Sequence, residues 1–182
     1  PQLRDLAPIA QPLILLFFFE VFVGGMYHGF IFLMPEFLEA RNCPEYVVKG
    51  GGVFLWVAGS AAIMIPAGHL ADRRGGYGIL AVFTAAALVF YYILILTPAL
   101  PYAIILLLLF LAGGTAGAVN PMGVAMGQHL DPRHASLISG ILMGLAWATG
   151  SPAMWVVGML AKNPSIGVVG ALALLGILGL IG

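Results

Sequence analysis

The chain has 182 residues, 62% of them hydrophobic and 8% charged, with seven basic and seven acidic side chains. Soluble domains carry about a quarter charged residues, so this composition, with a mean hydropathy of +1.07, marks an integral membrane protein. Zero net charge gives no ground to expect nucleic acid as a partner, and the lone Cys43 excludes an intrachain disulfide and a multi-cysteine metal centre.

Residues 1–11, with Arg4, Asp5 and two prolines, read as a connector at the membrane surface. The first span is expected over about 12–34, long enough at 1.5 Å per residue to cross roughly 30 Å of hydrocarbon, with Pro12 in its first turn. A polar loop with Glu36, Glu39, Arg41, Glu45 and Lys49 follows. The second span covers about 52–70 with Pro66 as a kink, and the third about 77–96. Thr97-Pro98-Ala99-Leu100-Pro101 makes a tight turn, because neither proline can continue a helix interior. The fourth span is about 101–126, the fifth about 135–160, and the sixth about 166–182. Residues 12–182 thus form one all-α bundle of six transmembrane helices. Because the chain starts without methionine and stops in an apolar run, it is expected to be a piece of a longer polypeptide. The first apolar run leads directly into a full-length span, so no signal peptide is recognisable.

With a cytoplasmic N-terminus, Arg4, Arg73, Arg74 and Arg133 lie on the inner side and Arg41, Lys49 and Lys162 on the outer. Arg73 and Arg74 cluster in a very short loop, whereas the Arg41 loop is long and rich in acid. This favours the N-terminus inside.

Glu20 falls about 12 Å along the first span. A carboxylate there costs several kcal/mol unless it is paired, hydrated or protonated, so it belongs in the bundle interior or a water-filled cavity. At 100° per residue, Gly24, Tyr27, Ile31 and Met34 share its face to within about 40°, with His28 about 80° away. Glu20 with Tyr27 reads as a proton-coupling site, a carboxyl that takes and releases a proton as the cavity opens to either side; the other reading is a structural hydrogen bond to a neighbouring helix. His28 either relays a proton or lines the substrate path, or it is a neutral ring bonded to a backbone carbonyl. It lies at a different depth from His69, His129 and His134, so no bis-histidine haem site is expected, and no other cofactor or metal is implied.

In the fourth span Gly113, Gly117, Asn120, Val124 and Gly127 form one stripe, suited to close helix packing or to a substrate path, with Gln128 at its end. Pro121 lacks an N–H, which frees the Gly117 carbonyl. Gly140 and Gly144 read as packing residues of the fifth span. Pro152 in Gly150-Ser151-Pro152 leaves the Ala148 carbonyl without a donor and bends that helix. There is no Ser/His/Asp arrangement, His-Glu-x-x-His metal motif or phosphate-binding glycine loop, so an enzyme is not expected.

The run Gly68-x-Leu70-Ala71-Asp72-Arg73-x-Gly75 resembles the signature of the major facilitator superfamily of secondary transporters, found in the cytoplasmic loop between the second and third helices of a six-helix half. The two basic residues that usually follow are replaced by Gly76 and Tyr77. Gly68-x-Leu70-Ala71-Asp72 recurs as Gly158-x-Leu160-Ala161-Lys162 at the end of the fifth span, as a pair of inverted three-helix repeats would produce. Asn120-Pro121-Met122-Gly123-Val124-Ala125-Met126-Gly127-Gln128, followed by Leu130, Pro132 and Ser139-Gly140, is similar to the last helices of fosmidomycin-resistance-type transporters, which close the C-terminal half. Gly150-Ser151-Pro152 is similar to the Gly-Pro kink of antiporters in this superfamily.

The resemblance implies a major-facilitator-type half bundle with a 3+3 inverted repeat, the C-terminal half of a proton-coupled efflux antiporter for a small molecule or drug, in a bacterial inner membrane. It implies a gating loop of Gly68, Asp72, Arg73 and Gly75, in which the Asp72 carboxylate sits against a helix N-terminus and an arginine in one state and separates in the other. The partners implied are the lipid bilayer, a small-molecule substrate and a second six-helix half, from the same polypeptide or a second copy. The alternative is a non-transporting membrane subunit of a larger complex that keeps a transporter-derived fold.

Overall fold

A computed structural model describes residues 8–181; Arg4 and Asp5 of the expected surface connector lie outside the described residues. The described residues are almost entirely helical and contain no strand. This is what a chain in hydrocarbon must do, since helices satisfy every backbone N–H and C=O within one segment.

The first helix, α1, runs Ala10–Ala40 and carries Pro35 inside it. The expected end at residue 34 was placed where polar residues begin, but one missing N–H removes only the bond to the Ile31 carbonyl, and the helix continues for another polar turn. It ends in a Schellman motif. Asn42 takes the left-handed conformation at φ 54°, Cys43 N–H donates to the Leu38 carbonyl at 3.0 Å, and Asn42 N–H to the Glu39 carbonyl at 2.9 Å. Asparagine is the usual substitute for glycine at that position.

A π-helical turn, Val47–Gly51, leads into α2, Gly52–Arg74. Gly75 alone separates α2 from α3, Gly76–Leu96. Its φ of 95° is open to glycine at little cost, and its N–H caps the Ala71 carbonyl at 3.0 Å. Helix α4 spans Tyr102–Leu130.

The fifth apolar stretch, Pro132–Ala161, is not the single helix expected. It is divided into α5 (Ala135–Ser139), a π-helical segment (Gly140–Leu145), α6 (Ala146–Gly150) and α7 (Pro152–Ala161). The break at Ser151 follows from Pro152. The π segment begins at Gly140, and a Cβ there or at Gly144 would meet open space. These two glycines therefore do not pack against another helix as the sequence implied. The last helix, α8, is Gly167–Ile181.

Five of these apolar stretches are long and apolar enough to cross a membrane, and α8 is a shorter sixth. The protein is a multi-pass membrane helical bundle.

Helix α4 lies along α2 and α3, while α1 lies along α6, α7 and α8; α1 and α4 meet each other, and α3 meets α8. Glycines set the closest approaches. A Cβ on Gly59 of α2 would meet the Phe110 backbone, and one on Gly113 the Trp56 backbone. On the other side, a Cβ on Gly150 would lie 2.7 Å from the Val21 carbonyl oxygen of α1. Small residues replace the hydrophobic drive that lipid removes between helices, because close backbones gain dispersion contacts.

Two apolar clusters fill the bundle. One gathers around Phe30, whose ring centroid lies 4.7 Å from that of Trp56 and 5.3 Å from that of Tyr91. The other joins Leu13, Leu16 and Val23 of α1 to Met122 of α4 and to Ile138 and Leu142 of the fifth stretch. Tyr91 Oη donates to the Leu172 carbonyl at 2.8 Å, which fastens α3 to α8.

Candidate functional site: a buried carboxyl beside an aromatic cavity

Glu20 is completely buried, one of only two polar side chains in the core of the described residues; the other is Thr115. Its partner comes from α4, where Asn120 Nδ2 donates to Glu20 Oε2 at 2.5 Å. Among the described residues Glu20 Oε1 has no hydrogen-bond partner. The space it occupies exists because residue 123 is glycine, since a Cβ on Gly123 would collide with Oε1. Asn120 and Gly123 lie three residues apart and share a helix face, so α4 presents one donor and one gap to the same carboxyl.

A cavity of about 200 Å³ opens next to this pair, lined by Tyr27, His28, Ser60, Asn120, Pro121 and Trp147 among others. Glu20 itself is one hydrogen bond behind its wall, through Asn120. His28 Nδ1 lies 2.8 Å from the Gly24 carbonyl oxygen. A carbonyl can only accept, so Nδ1 carries the proton and Nε2 is left free. The His28 ring meets Trp147 edge to face with centroids 4.7 Å apart, and Tyr27 meets His28 edge to face at 5.5 Å. Ser60 Oγ lies 2.8 Å from the Gly113 carbonyl and 3.5 Å from Tyr27 Oη. Among the described residues Trp147 Nε1 has no hydrogen-bond partner. Pro121 interrupts the backbone ladder of α4 at the level of the cavity, so the Gly117 carbonyl lacks its helical donor.

A second cleft, of about 520 Å³, lies toward the α2–α3 turn and is lined by Gly68, Asp72, Gly75, Tyr77 and His129. Pro121 borders both spaces. Asp72 and Arg73 are exposed, and among the described residues Asp72 makes no hydrogen bond or ion pair.

No family model, no curated protein and no solved structure matches the chain.

The structure therefore brings together Glu20, Asn120, Tyr27 and His28 from the residues singled out in the sequence. Gly68, Asp72 and Gly75 cluster elsewhere, on the second cleft. Gln128 does not reach the cavity; its Nε2 donates to Ser139 Oγ at 2.7 Å and ties α4 to α5. Gly113 and Gly117 pack against Trp56 and Ser60 of α2, and Pro152 lies at a lateral groove beside Val21 and Phe22. Ser60, Trp147 and Gly123 were not anticipated. The i, i+3 spacing of Asn120 and Gly123 was the one signal in the sequence that could have found the third of these. Among the described residues no group of His, Cys, Asp or Glu side chains is arranged to hold a metal ion.

Proposed function

We propose that the chain is one six-helix half of a proton-coupled secondary transporter of major-facilitator type, moving a small molecule or drug across a bacterial inner membrane by alternating access. The observation that carries this reading is the buried Glu20 carboxyl, half unpaired, at the α1–α4 crossing beside a largely apolar, aromatic-walled cavity. A carboxyl in hydrocarbon is costly and is retained where it handles protons or ions. Here its proton would exchange when the cavity hydrates from one side or the other.

The pattern of neighbours supports the 3+3 repeat. Exchanging α1 with α4, α2 with the fifth stretch, and α3 with α8 turns the α2–α4 contact into the α1–fifth-stretch contact, and α3–α4 into α1–α8. The glycine-lined approaches at Gly59 and Gly150 exchange as well. In this reading the N-terminus is cytoplasmic, the half is the C-terminal one of a fosmidomycin-resistance-like antiporter, and Asp72 and Arg73 gate the inner end. The second half covers the side on which the cavity is open.

The test uses proteoliposomes containing the full-length protein, a lumenal pH dye and an imposed proton gradient. A panel of small amines, acids and neutral drugs is added in turn. At least one class dissipates the gradient with the wild type and not with Glu20→Gln. A gradient that no compound dissipates would leave the non-transporting subunit of a larger complex as the better description.

A further inference from the structure

We propose that the cavity between α1, α4 and the fifth stretch binds a small organic cation, a protonated or quaternary amine. The binding step stands on the cavity alone, and only the movement of the bound cation rests on the transport reading above.

Three observations carry it. First, Tyr27, His28 and Trp147 all line the wall, His28 meeting each of the other two edge to face at centroid distances of 5.5 Å and 4.7 Å. Aromatic faces attract a cation within about 6 Å of the ring, most strongly for tryptophan and where water is excluded.

Second, the wall keeps three acceptors for an incoming N–H donor. His28 commits Nδ1 to the Gly24 carbonyl and keeps Nε2 free. Asn120 commits its Nδ2 to Glu20, which leaves Oδ1. Pro121 frees the Gly117 carbonyl. An ammonium group supplies N–H donors for such a set, and a quaternary amine satisfies the aromatic part alone.

Third, among the described residues no lysine or arginine lines the cavity, and Glu20 sits directly behind Asn120. An anion would find no basic side chain in this wall to offset its charge. The Trp147 Nε1–H and the Tyr27 hydroxyl are neutral donors and cannot balance that charge. The volume of about 200 Å³ is below the roughly 300–1,000 Å³ of drug-sized pockets, so the cation is small.

Equilibrium dialysis of the purified full-length protein with radiolabelled benzylammonium, benzyl alcohol and benzoate separates charge from shape, since the three share one ring. Benzylammonium is expected to bind saturably and at least about tenfold more tightly than the other two, and Trp147→Leu to weaken it by roughly 2- to 30-fold, with Trp147→Phe recovering most of the loss. Benzoate binding as tightly, equal uptake of all three probes, or an unchanged affinity in Trp147→Leu overturns the proposal. If Trp147→Leu does not run as a monodisperse species on gel filtration, Tyr27→Leu is read by the same criterion. Flux in proteoliposomes is scored separately. Benzylammonium bound but never moved overturns transport and keeps the cation site, whereas coupled flux of another compound without benzylammonium binding overturns the cation site and keeps transport.

Discussion

Asn120 and Glu20 join the two central helices of the bundle. The amide Nδ2 of α4 donates to Oε2 of the α1 carboxyl at 2.5 Å, while Oε1 rests unpaired against Gly123. Removing the amide leaves the whole carboxyl without a partner in a buried site, which costs about 1–3 kcal/mol. Asn120→Ala should therefore lower the thermal unfolding midpoint of the purified protein. Glu20→Gln keeps the shape and one acceptor, so its loss should be within about 1 kcal/mol. An Asn120→Ala protein as stable as the wild type would remove the pair from the account of the fold.

Gly123 supplies the gap for that carboxyl. In Gly123→Ala the new methyl meets Glu20 Oε1, and overpacking of this kind costs roughly 1–3 kcal/mol. The cost should vanish when residue 20 is shortened. A double-mutant cycle of Gly123→Ala with Glu20→Ala is expected to show a coupling of about 1 kcal/mol or more by chemical or thermal unfolding. Additive losses would mean that the methyl clashes with something else.

Arg41 holds the C-terminal end of α3. Its guanidinium donates to the carbonyls of Ile95 at 2.6 Å, Pro98 at 2.8 Å and Thr97, and lies 5.1 Å from the centre of the Phe37 ring. These carbonyls have no helical donors, because the helix ends there, and a cation at a helix C-terminus is favourable. Arg41→Ala is expected to cost about 1–3 kcal/mol. Arg41→Lys should recover part of it, since an ammonium cannot span the same fan of acceptors. Faster amide exchange confined to the last turn of α3 in Arg41→Ala is the local signature. Unchanged exchange there would count against the clamp.

Cys43 provides a topology marker. Burial pushes its thiol above the usual value, and the Arg41 charge opposes that only in part. The thiolate is the reactive form. Alkylation by a membrane-impermeant maleimide should accordingly be slow at neutral pH and quicken as pH rises toward the thiol's own value. With the N-terminus cytoplasmic, labelling occurs in intact cells. Labelling only in inverted vesicles would reverse the orientation.

That the chain is a series of long apolar helices was legible in the sequence, because hydrocarbon thickness sets a minimum length and polar turns bound each run. The loops at Gly75 and at Thr97-Pro98 were legible too, since glycine and proline constrain the backbone locally. Glu20 could be singled out from depth alone. The end of α1 beyond Pro35 could not, because one lost hydrogen bond is outweighed by the cap that Asn42 and Cys43 complete.

By itself, then, the sequence determined a multi-pass helical bundle with a carboxyl inside it, for burial of long apolar runs is a one-dimensional property. Only the tertiary structure decided that Glu20 is answered by Asn120, that Gly123 makes its room, and that Tyr27, His28 and Trp147 wall one cavity while Asp72 faces another. Helices that are apolar all round carry little periodic signal for which face meets which. The facing sides of α2 and α4, and of α1 and α6, meet instead at the glycine contacts of Gly59, Gly113 and Gly150, whose partners lie far away along the chain.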